Sequence, residues 1–236
     1  MKNKKAIVLF SGGQDSTTCL SWALKNYNFV ETIGIDYGQR NIIELKARKN
    51  ILRKICSVFP KWAKKLKQDH IIKLPAYGKI SSSSLTSNKE FKKNKNNLPS
   101  SFVPGRNIFF FTIAASIAYQ QKINNIIAGV CQTDYLGYPD CRNNTINSLQ
   151  LTINLGMESN FNFITPLMWL EKSKIWELAE KVGGAKLINI IVNETHTCYR
   201  GERNNSFDWG KGCNNCPACK LRSSGWNKFI ESNTVN

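Results

Sequence analysis

The chain of 236 residues has no run of eighteen apolar residues, the length that a membrane-spanning helix needs. We therefore expect no membrane partner. Acidic side chains are also scarce, because 16 Asp and Glu stand against 33 Lys and Arg, a formal net charge of +17. The excess Lys is spread over every region instead of forming one basic face. Such a distribution is typical of solvated surface, so we do not expect nucleic acid to be a partner.

Two common nucleotide-binding motifs are missing from the N-terminal region. The Gly-Lys-Ser/Thr of a Walker A loop does not follow the first glycine pair, and the Gly-x-Gly-x-x-Gly of dinucleotide-binding proteins does not occur there. A signal peptide is not expected either, because its cleavage would remove this glycine pair and the apolar segment before it. We therefore expect a cytoplasmic protein.

The N-terminal region does contain the pattern of a strand, a glycine-rich turn and a helix in succession. The apolar residues 5–9 are typical of a buried strand, and residues 10–16 read Phe-Ser-Gly-Gly-Gln-Asp-Ser. The N–H groups of such a turn bind phosphate, and the hydroxyls of Ser11 and Ser16 add two donors. Asp15 would repel a phosphate directly, so we expect it to cap the helix or to meet a Mg²⁺ that the phosphates share.

Four further apolar segments alternate with helical patterns along the chain. Such alternation predicts an α/β fold with a doubly wound parallel sheet, here of five strands. We expect a single domain over residues 1–236, in which residues 79–100, rich in Ser, Lys and Asn, form a polar insertion that acts as a mobile loop or lid. The predicted strands are residues 5–9, 30–37, 69–74, 125–130 and 161–164. The predicted helices are residues 17–24, 41–58, 108–119, 143–157 and 172–182.

Polar and aromatic side chains follow several of these strands. Ligands of an open parallel sheet bind at the carboxyl ends of its strands, so these side chains are candidates for substrate contacts. Arg106 can pair with a carboxylate, Asn107 can bond a planar base or cap a helix, and Tyr138 can stack on a heterocycle. Lys172, at the start of a helix, can reach a phosphate. The candidate substrate-binding residues are Tyr37, Gln39, Arg106, Asn107, Asp134, Tyr138 and Asp140.

Four of the eight cysteines form a metal-binding pattern. Cys213, Cys216 and Cys219 are each three residues apart, and Cys198 precedes them by fifteen residues. Four thiolates close a tetrahedral zinc site with no open position, which marks a structural metal, so we expect Zn²⁺. An iron–sulfur cluster is the alternative, although the C-x-x-x-C-P continuation of one such pattern is missing. We expect residues 195–236 to form a zinc-binding C-terminal region.

The Ser-Gly-Gly-x-Asp-Ser motif at residues 11–16 resembles the PP-loop of the ATP pyrophosphatases, which cleave ATP between the α and β phosphates. With further segments included, the chain resembles the 7-cyano-7-deazaguanine synthase family over essentially its whole length. Those segments are residues 36–39 (Asp-Tyr-Gly-Gln), 103–107, 137–141 (Gly-Tyr-Pro-Asp-Cys), 165–167 with Lys172, and 197–219. The stretch between Cys198 and Cys213 is longer than in the compact form of the family pattern.

The resemblance implies an ATP-dependent C–N ligase that converts 7-carboxy-7-deazaguanine and ammonia to 7-cyano-7-deazaguanine in queuosine biosynthesis. It implies adenylation of the carboxylate and then of the amide, with ATP, Mg²⁺ and Zn²⁺ bound in a homodimer. The implied catalytic residues are Ser11, Asp15, Ser16 and Lys172. The implied ATP-binding residues are Phe10, Ser11, Gly12, Gly13, Gln14, Asp15, Ser16, Thr17, Thr18, Cys19 and Leu20. The implied metal ligands are Cys198, Cys213, Cys216 and Cys219.

Two other functions remain open on the residues alone. A PP-loop tRNA-modifying enzyme of the thiolase type would also activate a base carbonyl by adenylation, but it would need a catalytic cysteine pair near the ATP. A zinc-ribbon module that binds nucleic acid is the non-enzymatic alternative. That interpretation leaves the motif at residues 10–16 without a role.

Overall fold

The structure, a computed structural model, describes residues 4–40, 42–80, 83–87, 89–92, 98–133 and 137–234. Asp134 and part of the polar insertion therefore lie outside the described residues. The strands are β1 (Lys5–Leu9), β2 (Phe29–Asp36), β3 (Leu66–Lys73), β4 (Asn125–Ile127), β5 (Asn162–Ile164), β6 (Ser206–Phe207) and β7 (Gly210–Lys211). The helices are α1 (Gln14–Asn26), α2 (Ile43–Val58), α3 (Pro60–Ala63), α4 (Pro75–Ile80), α5 (Arg106–Gln120), α6 (Asn143–Gly156), α7 (Lys172–Glu194) and α8 (Pro217–Thr234). None of the helices in the described ranges combines the length and the apolar composition that crossing a bilayer requires.

Strands β1 to β5 form one parallel sheet in the order β3-β2-β1-β4-β5. This confirms the predicted five-stranded doubly wound sheet and places the first strand at its centre. The strand order reverses between β1 and β4, and ligands of such sheets bind outside the carboxyl ends of the strands at that reversal. The glycine-rich turn after β1 and residues 128–131 after β4 occupy this position.

Helices cover both faces of the sheet. Side chains of a strand alternate between the faces, so Ala6 and Val8 pack in one core with α1 and α7, while Ile7 packs in the other with α5. Trp176 of α7 is fully buried and meets Trp226 of α8 edge-on, with the ring centroids 4.8 Å apart. This contact fixes the C-terminal helix to the first core.

Several element limits differ from the predicted ones. β4 ends at Ile127, before the predicted end at 130, and farther along the chain the Gln132 N–H donates to the Met168 carbonyl at 2.9 Å, beyond the end of β5. α7 continues to Glu194, past the predicted end at 182, and is interrupted once at Gly184, which has φ of +64°. The elements α3, α4, α8 and the antiparallel β6–β7 pair were not predicted. They are short or lack a regular apolar period.

One cation is buried beneath the glycine-rich turn. Arg48 of α2 forms an ion pair with Asp69 of β3, and its guanidinium carbon lies 4.7 Å from the centroid of the Phe10 ring. A Cβ at Gly34 would lie 2.5 Å from that guanidinium carbon, so β2 accommodates the side chain only through a glycine. The pairing holds α2 close to the start of the turn.

The described parts of the polar insertion at 79–100 are packed on the rest of the chain. Ser84 is fully buried, and its N–H donates to the Ser100 carbonyl at 2.8 Å. The Phe91 ring lies 5.6 Å from the ring of Tyr199, between centroids. In these parts the insertion is a structural element that contacts the C-terminal region.

Candidate active site

A cavity of about 280 Å³ opens at the carboxyl edge of the sheet, where the strand order reverses. Its walls come from the glycine-rich turn, from the segments after β2 and β4, from α2 and α5, and from the C-terminal region. Residues 195–199, which join α7 to that region, are termed the strap. The loop end of the cavity is the wall formed by Ser11, Gly13, Asp15 and Ser16. The arginine end is the wall formed by Tyr37, Glu44, Arg106 and Tyr138.

The glycine-rich turn at the loop end is held in shape by its own hydroxyls. Ser16 Oγ accepts the N–H of Gly12 at 3.2 Å, and Ser11 Oγ accepts the N–H of Gly13 at 3.3 Å. Gly12 has φ of +98°, and a Cβ there would lie 2.5 Å from the carbonyl oxygen of Glu44, so the position tolerates no side chain. The turn therefore has the shape of an anion site in the absence of a ligand.

Asp15 and Lys172 pair at the loop end. Lys172 Nζ lies 3.0 and 2.8 Å from the two carboxylate oxygens of Asp15. Asp15 does not cap α1, whose N-cap residue is Gly13 without a side-chain cap bond. A carboxylate is tolerated beside a phosphate site when a cation neutralises it. The pair therefore places an oxygen ligand suited to Mg²⁺ and an ammonium suited to phosphate side by side.

The arginine end is built around a guanidinium between two aromatic rings. Arg106, the first residue of α5, lies 6.0 Å from the ring centroid of Tyr37 and 5.7 Å from that of Tyr138. Its Nε atom is buried and has no hydrogen-bond partner among the described residues. Leaving a buried donor unpaired costs free energy, so this group is suited to an anionic oxygen of a ligand.

Asp140 stabilises the arginine end by a hydrogen bond to the backbone, without lining the cavity. Its Oδ2 accepts the backbone N–H of Asn107 at 2.9 Å, in the first turn of α5, and the residue is only 4% exposed. The side-chain amide of Asn107 donates to Cys141 Sγ at 3.2 Å. In this structure Asp140 satisfies the start of α5 and thereby orients Arg106, a role different from the direct substrate contact predicted for it.

Most of the predicted site residues lie on the cavity wall. Those that do are Phe10, Ser11, Gly13, Gln14, Asp15, Ser16, Tyr37, Gln39, Arg106, Asn107, Tyr138 and Lys172. Those that do not are Gly12, Thr17, Thr18, Cys19, Leu20 and Asp140. The four from α1 are fully buried in the core, so they can influence ATP only through the position of the helix. Asp134, a further predicted contact, lies outside the described residues.

The wall residues that were not predicted as site residues include Glu44, His196, Tyr199 and Arg222. Burial raises the pKa of Glu44 to about 7, although the charge of Arg106 acts in the opposite direction. Burial lowers the pKa of His196 to about 4, so its imidazole is neutral, and its Nε2 donates to the Cys198 carbonyl at 3.0 Å. No local motif marks Glu44, His196 or Arg222, because they meet only after folding.

The four predicted thiol ligands converge on one point. The Sγ atoms of Cys198, Cys213, Cys216 and Cys219 all lie within 4.8 Å of one another. Four sulfurs bound to zinc at about 2.3 Å would be about 3.8 Å apart, so a small contraction closes the site. Cys213 Sγ accepts the backbone N–H groups of Asn215 and Cys216 at 3.4 and 3.2 Å. None of the eight cysteines, all within the described ranges, forms a disulfide.

The strap connects the cysteine cluster to the loop end. The N–H of His196 donates to the carbonyl of Gly12 at 3.1 Å, and Cys198 follows two residues later. Arg222 of α8 donates to Thr195 Oγ1 at 2.9 Å and is itself fully buried. The cluster therefore holds one wall of the cavity in place.

Comparison with known protein families identifies the chain. The model of the family described as queuosine biosynthesis protein QueC matches residues 5–230. The chain belongs to the QueC family. Two curated relatives carry the name 7-cyano-7-deazaguanine synthase. The chain is 48% identical to the one from Bordetella pertussis (strain Tohama I) over 227 residues, which are 96% of this chain and 93% of the relative. It is 52% identical to the one from Herminiimonas arsenicoxydans over 225 residues, which are 95% of this chain and 97% of the relative.

The QueC fold is also similar to a solved structure described as a 4-thiouridine synthetase–RNA complex with bound ATP. The TM-score is 0.52 at 16% identity, with 97% of this chain and 51% of that chain covered. At this identity the likeness shows the shared fold alone, and this chain spans about half of the other. The family predicted from the sequence motifs is thus confirmed, and so is its fold class.

Proposed function

We propose that this chain is a 7-cyano-7-deazaguanine synthase, a ligase that uses ATP to convert 7-carboxy-7-deazaguanine and ammonia to 7-cyano-7-deazaguanine in queuosine biosynthesis. One observation carries the proposal: a single cavity has a phosphate-binding turn at one end and a guanidinium between two aromatic rings at the other. The first end suits ATP, and the second suits a flat heterocycle that bears a carboxylate. The names of the curated relatives point to the same reaction.

The reaction must first activate the carboxylate, because its charge and resonance make it a poor electrophile. A carboxylate oxygen attacks the α phosphate of ATP, and the bond to pyrophosphate breaks, which gives an acyl adenylate. Ammonia then adds to the carbonyl carbon, the bond to AMP breaks, and loss of one proton leaves an amide. In a second round the amide oxygen attacks the α phosphate of another ATP, and the bond to pyrophosphate breaks. Loss of AMP and two protons then leaves the nitrile.

The described side chains suit these steps. The N–H groups of the turn and the hydroxyl of Ser11 are placed to bind pyrophosphate. The carboxylate of Asp15 is suited to Mg²⁺ that ATP brings, and Lys172 is then placed to contact phosphate. Arg106 is suited to the substrate carboxylate, and Tyr138 to the face of the ring. Catalysis of this kind works by positioning and electrostatic stabilisation.

The proposal extends to the metal and to the state of the protein. One structural Zn²⁺ per chain would be held by the four thiolates, whose number leaves no open coordination position. We further propose that residues 1–236 fold as one domain and act as a cytoplasmic homodimer without a nucleic-acid partner. The donor set of the cluster supports the metal assignment.

Mass analysis of the products tests the reaction. Incubation with 7-carboxy-7-deazaguanine, ammonium and MgATP should yield the nitrile, AMP and pyrophosphate. A parallel incubation replaces the acid with unmodified tRNA at matched salt and should release no pyrophosphate above background. Two thiols, Cys131 and Cys141, also line the cavity, so a tRNA-modifying activity needs this direct comparison. Pyrophosphate release that only tRNA stimulates would replace the deazaguanine assignment.

A further inference from the structure

Glu44 belongs to the arginine end of the cavity, and its backbone borders the loop end. It lies in the first turn of α2 and forms part of the cavity wall. Its backbone contacts the phosphate-binding turn, since a Cβ at Gly12 would lie 2.5 Å from its carbonyl oxygen. Its carboxyl group interacts electrostatically with Arg106 and with Tyr37. A ligand that fills the cavity from the turn to the guanidinium would share the cavity with Glu44.

The other carboxylates described near the cavity already have partners. Asp15 pairs with Lys172, and Asp140 accepts the N–H of Asn107. By contrast, the side chain of Glu44 makes no hydrogen bond or ion pair with any residue in the described part of the chain. The Glu44 carboxyl is therefore free to take a proton or a hydrogen bond from a ligand.

The amidation step requires a proton acceptor at this place. When ammonia adds to the acyl carbon and AMP leaves, the nitrogen must lose one proton to become a neutral amide. The cationic groups of Arg106 and Lys172 and the N–H groups of the turn donate protons and cannot accept one. We propose that the Glu44 carboxylate binds the incoming ammonia and accepts this proton, which makes Glu44 a catalytic base of the reaction. The assignment rests on the proposed function.

The environment of Glu44 suits this role. Burial raises its pKa to about 7, with Arg106 of α5 acting in the opposite direction. The other titratable group that faces it is Tyr37 at the end of β2, whose own pKa is raised by burial. A general base is most effective when its pKa lies near the working pH. At constant free ammonia, the amidation rate should therefore rise with pH through about 7 as the carboxyl ionises.

Two measurements on Glu44→Gln separate a base from a contact to the ring. Gln keeps the size of the side chain but cannot accept the proton. The first measurement is ATP–pyrophosphate exchange driven by the acid without ammonium, and the second is single-turnover amide formation after ammonium is added. We expect amide formation to fall about 10²-fold. We expect exchange to change by less than about threefold, because adenylation precedes the proton transfer. The rise of amidation through about pH 7 should also disappear.

Glu180→Gln is the matched control, since Glu180 is exposed on α7 and does not line the cavity. It should behave as wild type in both measurements, and Glu44→Asp should recover part of the lost amidation. If exchange falls by the same factor as amide formation, Glu44 binds the ring or ATP and the proposal is wrong. Unchanged amide formation in Glu44→Gln contradicts it equally. If the wild-type protein makes no nitrile, the proposed function itself is wrong. This outcome can be seen without any variant.

Discussion

The loop end and the arginine end face each other across one cavity, but they are built in different ways. The loop end is one strand–turn–helix unit of consecutive residues, and its two Ser hydroxyls bond each other and the N–H groups of Gly12 and Gly13. The arginine end collects side chains from the end of β2, from α2, from α5 and from the segment before α6. Two of its polar groups, the Glu44 carboxyl and Arg106 Nε, lack hydrogen-bond partners among the described residues.

The difference matches what each end would bind in the proposed reaction. The loop end would take the same ligand, ATP, in both rounds, and a preformed turn binds an unchanging ligand without reorganisation. The arginine end would take an acid in the first round and an amide in the second. Polar groups that make no hydrogen bond within the protein can bind either ligand. Leaving them unpaired when no ligand is bound costs free energy.

The largest effect is expected from the cysteine cluster, which holds the loop end in place through the strap. Cys219→Ser should lose the metal and unfold residues 195–236, because a structural zinc contributes on the order of 10 kcal/mol to folding. AMP release should vanish and solubility should fall, whereas Cys56→Ser, outside the cluster, should do neither. Elemental analysis of the wild type should find one zinc per chain. Iron with matching sulfide in protein prepared without oxygen would contradict the zinc assignment.

A smaller but still large effect is expected at the loop end alone. Asp15→Ala removes the carboxylate suited to Mg²⁺ and leaves Lys172 without its partner. AMP release should fall about 10²–10³-fold, as it does when one preorganised charge-stabilising group is lost. The melting temperature should stay close to that of wild type, because Asp15 lies at the cavity surface. Asp208→Ala, at an exposed position, is the control, and normal AMP release from folded Asp15→Ala would refute the assignment.

At the arginine end, Arg106→Ala should affect one ligand and spare the other. Loss of a charge-assisted pair to the substrate carboxylate should cost about 2–3 kcal/mol, or about 30–150-fold in acid-dependent pyrophosphate release. The KM for the acid should rise while the affinity for ATP stays unchanged. Arg53→Ala, exposed on α2, is the control. An equal loss of ATP affinity in Arg106→Ala would contradict the prediction that the two ends bind different ligands.

The smallest expected effect concerns stability. A carboxyl whose folded pKa is raised contributes stability below its unfolded pKa, and that contribution is lost as pH rises through the folded pKa. For Glu44 this window runs from about 4.5 to about 7. Glu44→Gln should therefore be more stable than wild type at pH 8 by about 1 kcal/mol, discounted for partial exposure, and should lose this advantage at pH 5. Urea unfolding at both pH values measures it, and an equal difference at both would contradict the explanation.

The features that the sequence predicts are those formed by consecutive residues, as at the loop end, and the features that it misses resemble the arginine end. The turn at residues 10–16 and the Cys213–Cys219 spacing are contiguous patterns, and the apolar strands have both faces buried, so local sequence predicts all three. Glu44 sits among charged residues of an ordinary amphipathic helix, and only the contact of α2 with Gly12 brings it to the cavity. His196 belongs to none of the motifs identified in the sequence. Its place on the cavity wall depends on a hydrogen bond to a residue far away in the chain.

The hydrogen bond from His196 to Gly12 would also couple the two proposed binding events, metal at the cysteine cluster and nucleotide at the glycine-rich turn. A metal bound to Cys198 would fix the strap, and with it the N–H that donates to the Gly12 carbonyl. Thermodynamic reciprocity then sets a constraint: any factor by which metal tightens nucleotide binding is the factor by which nucleotide tightens metal binding. When metal is scarce, chains saturated with ATP would therefore release their metal last.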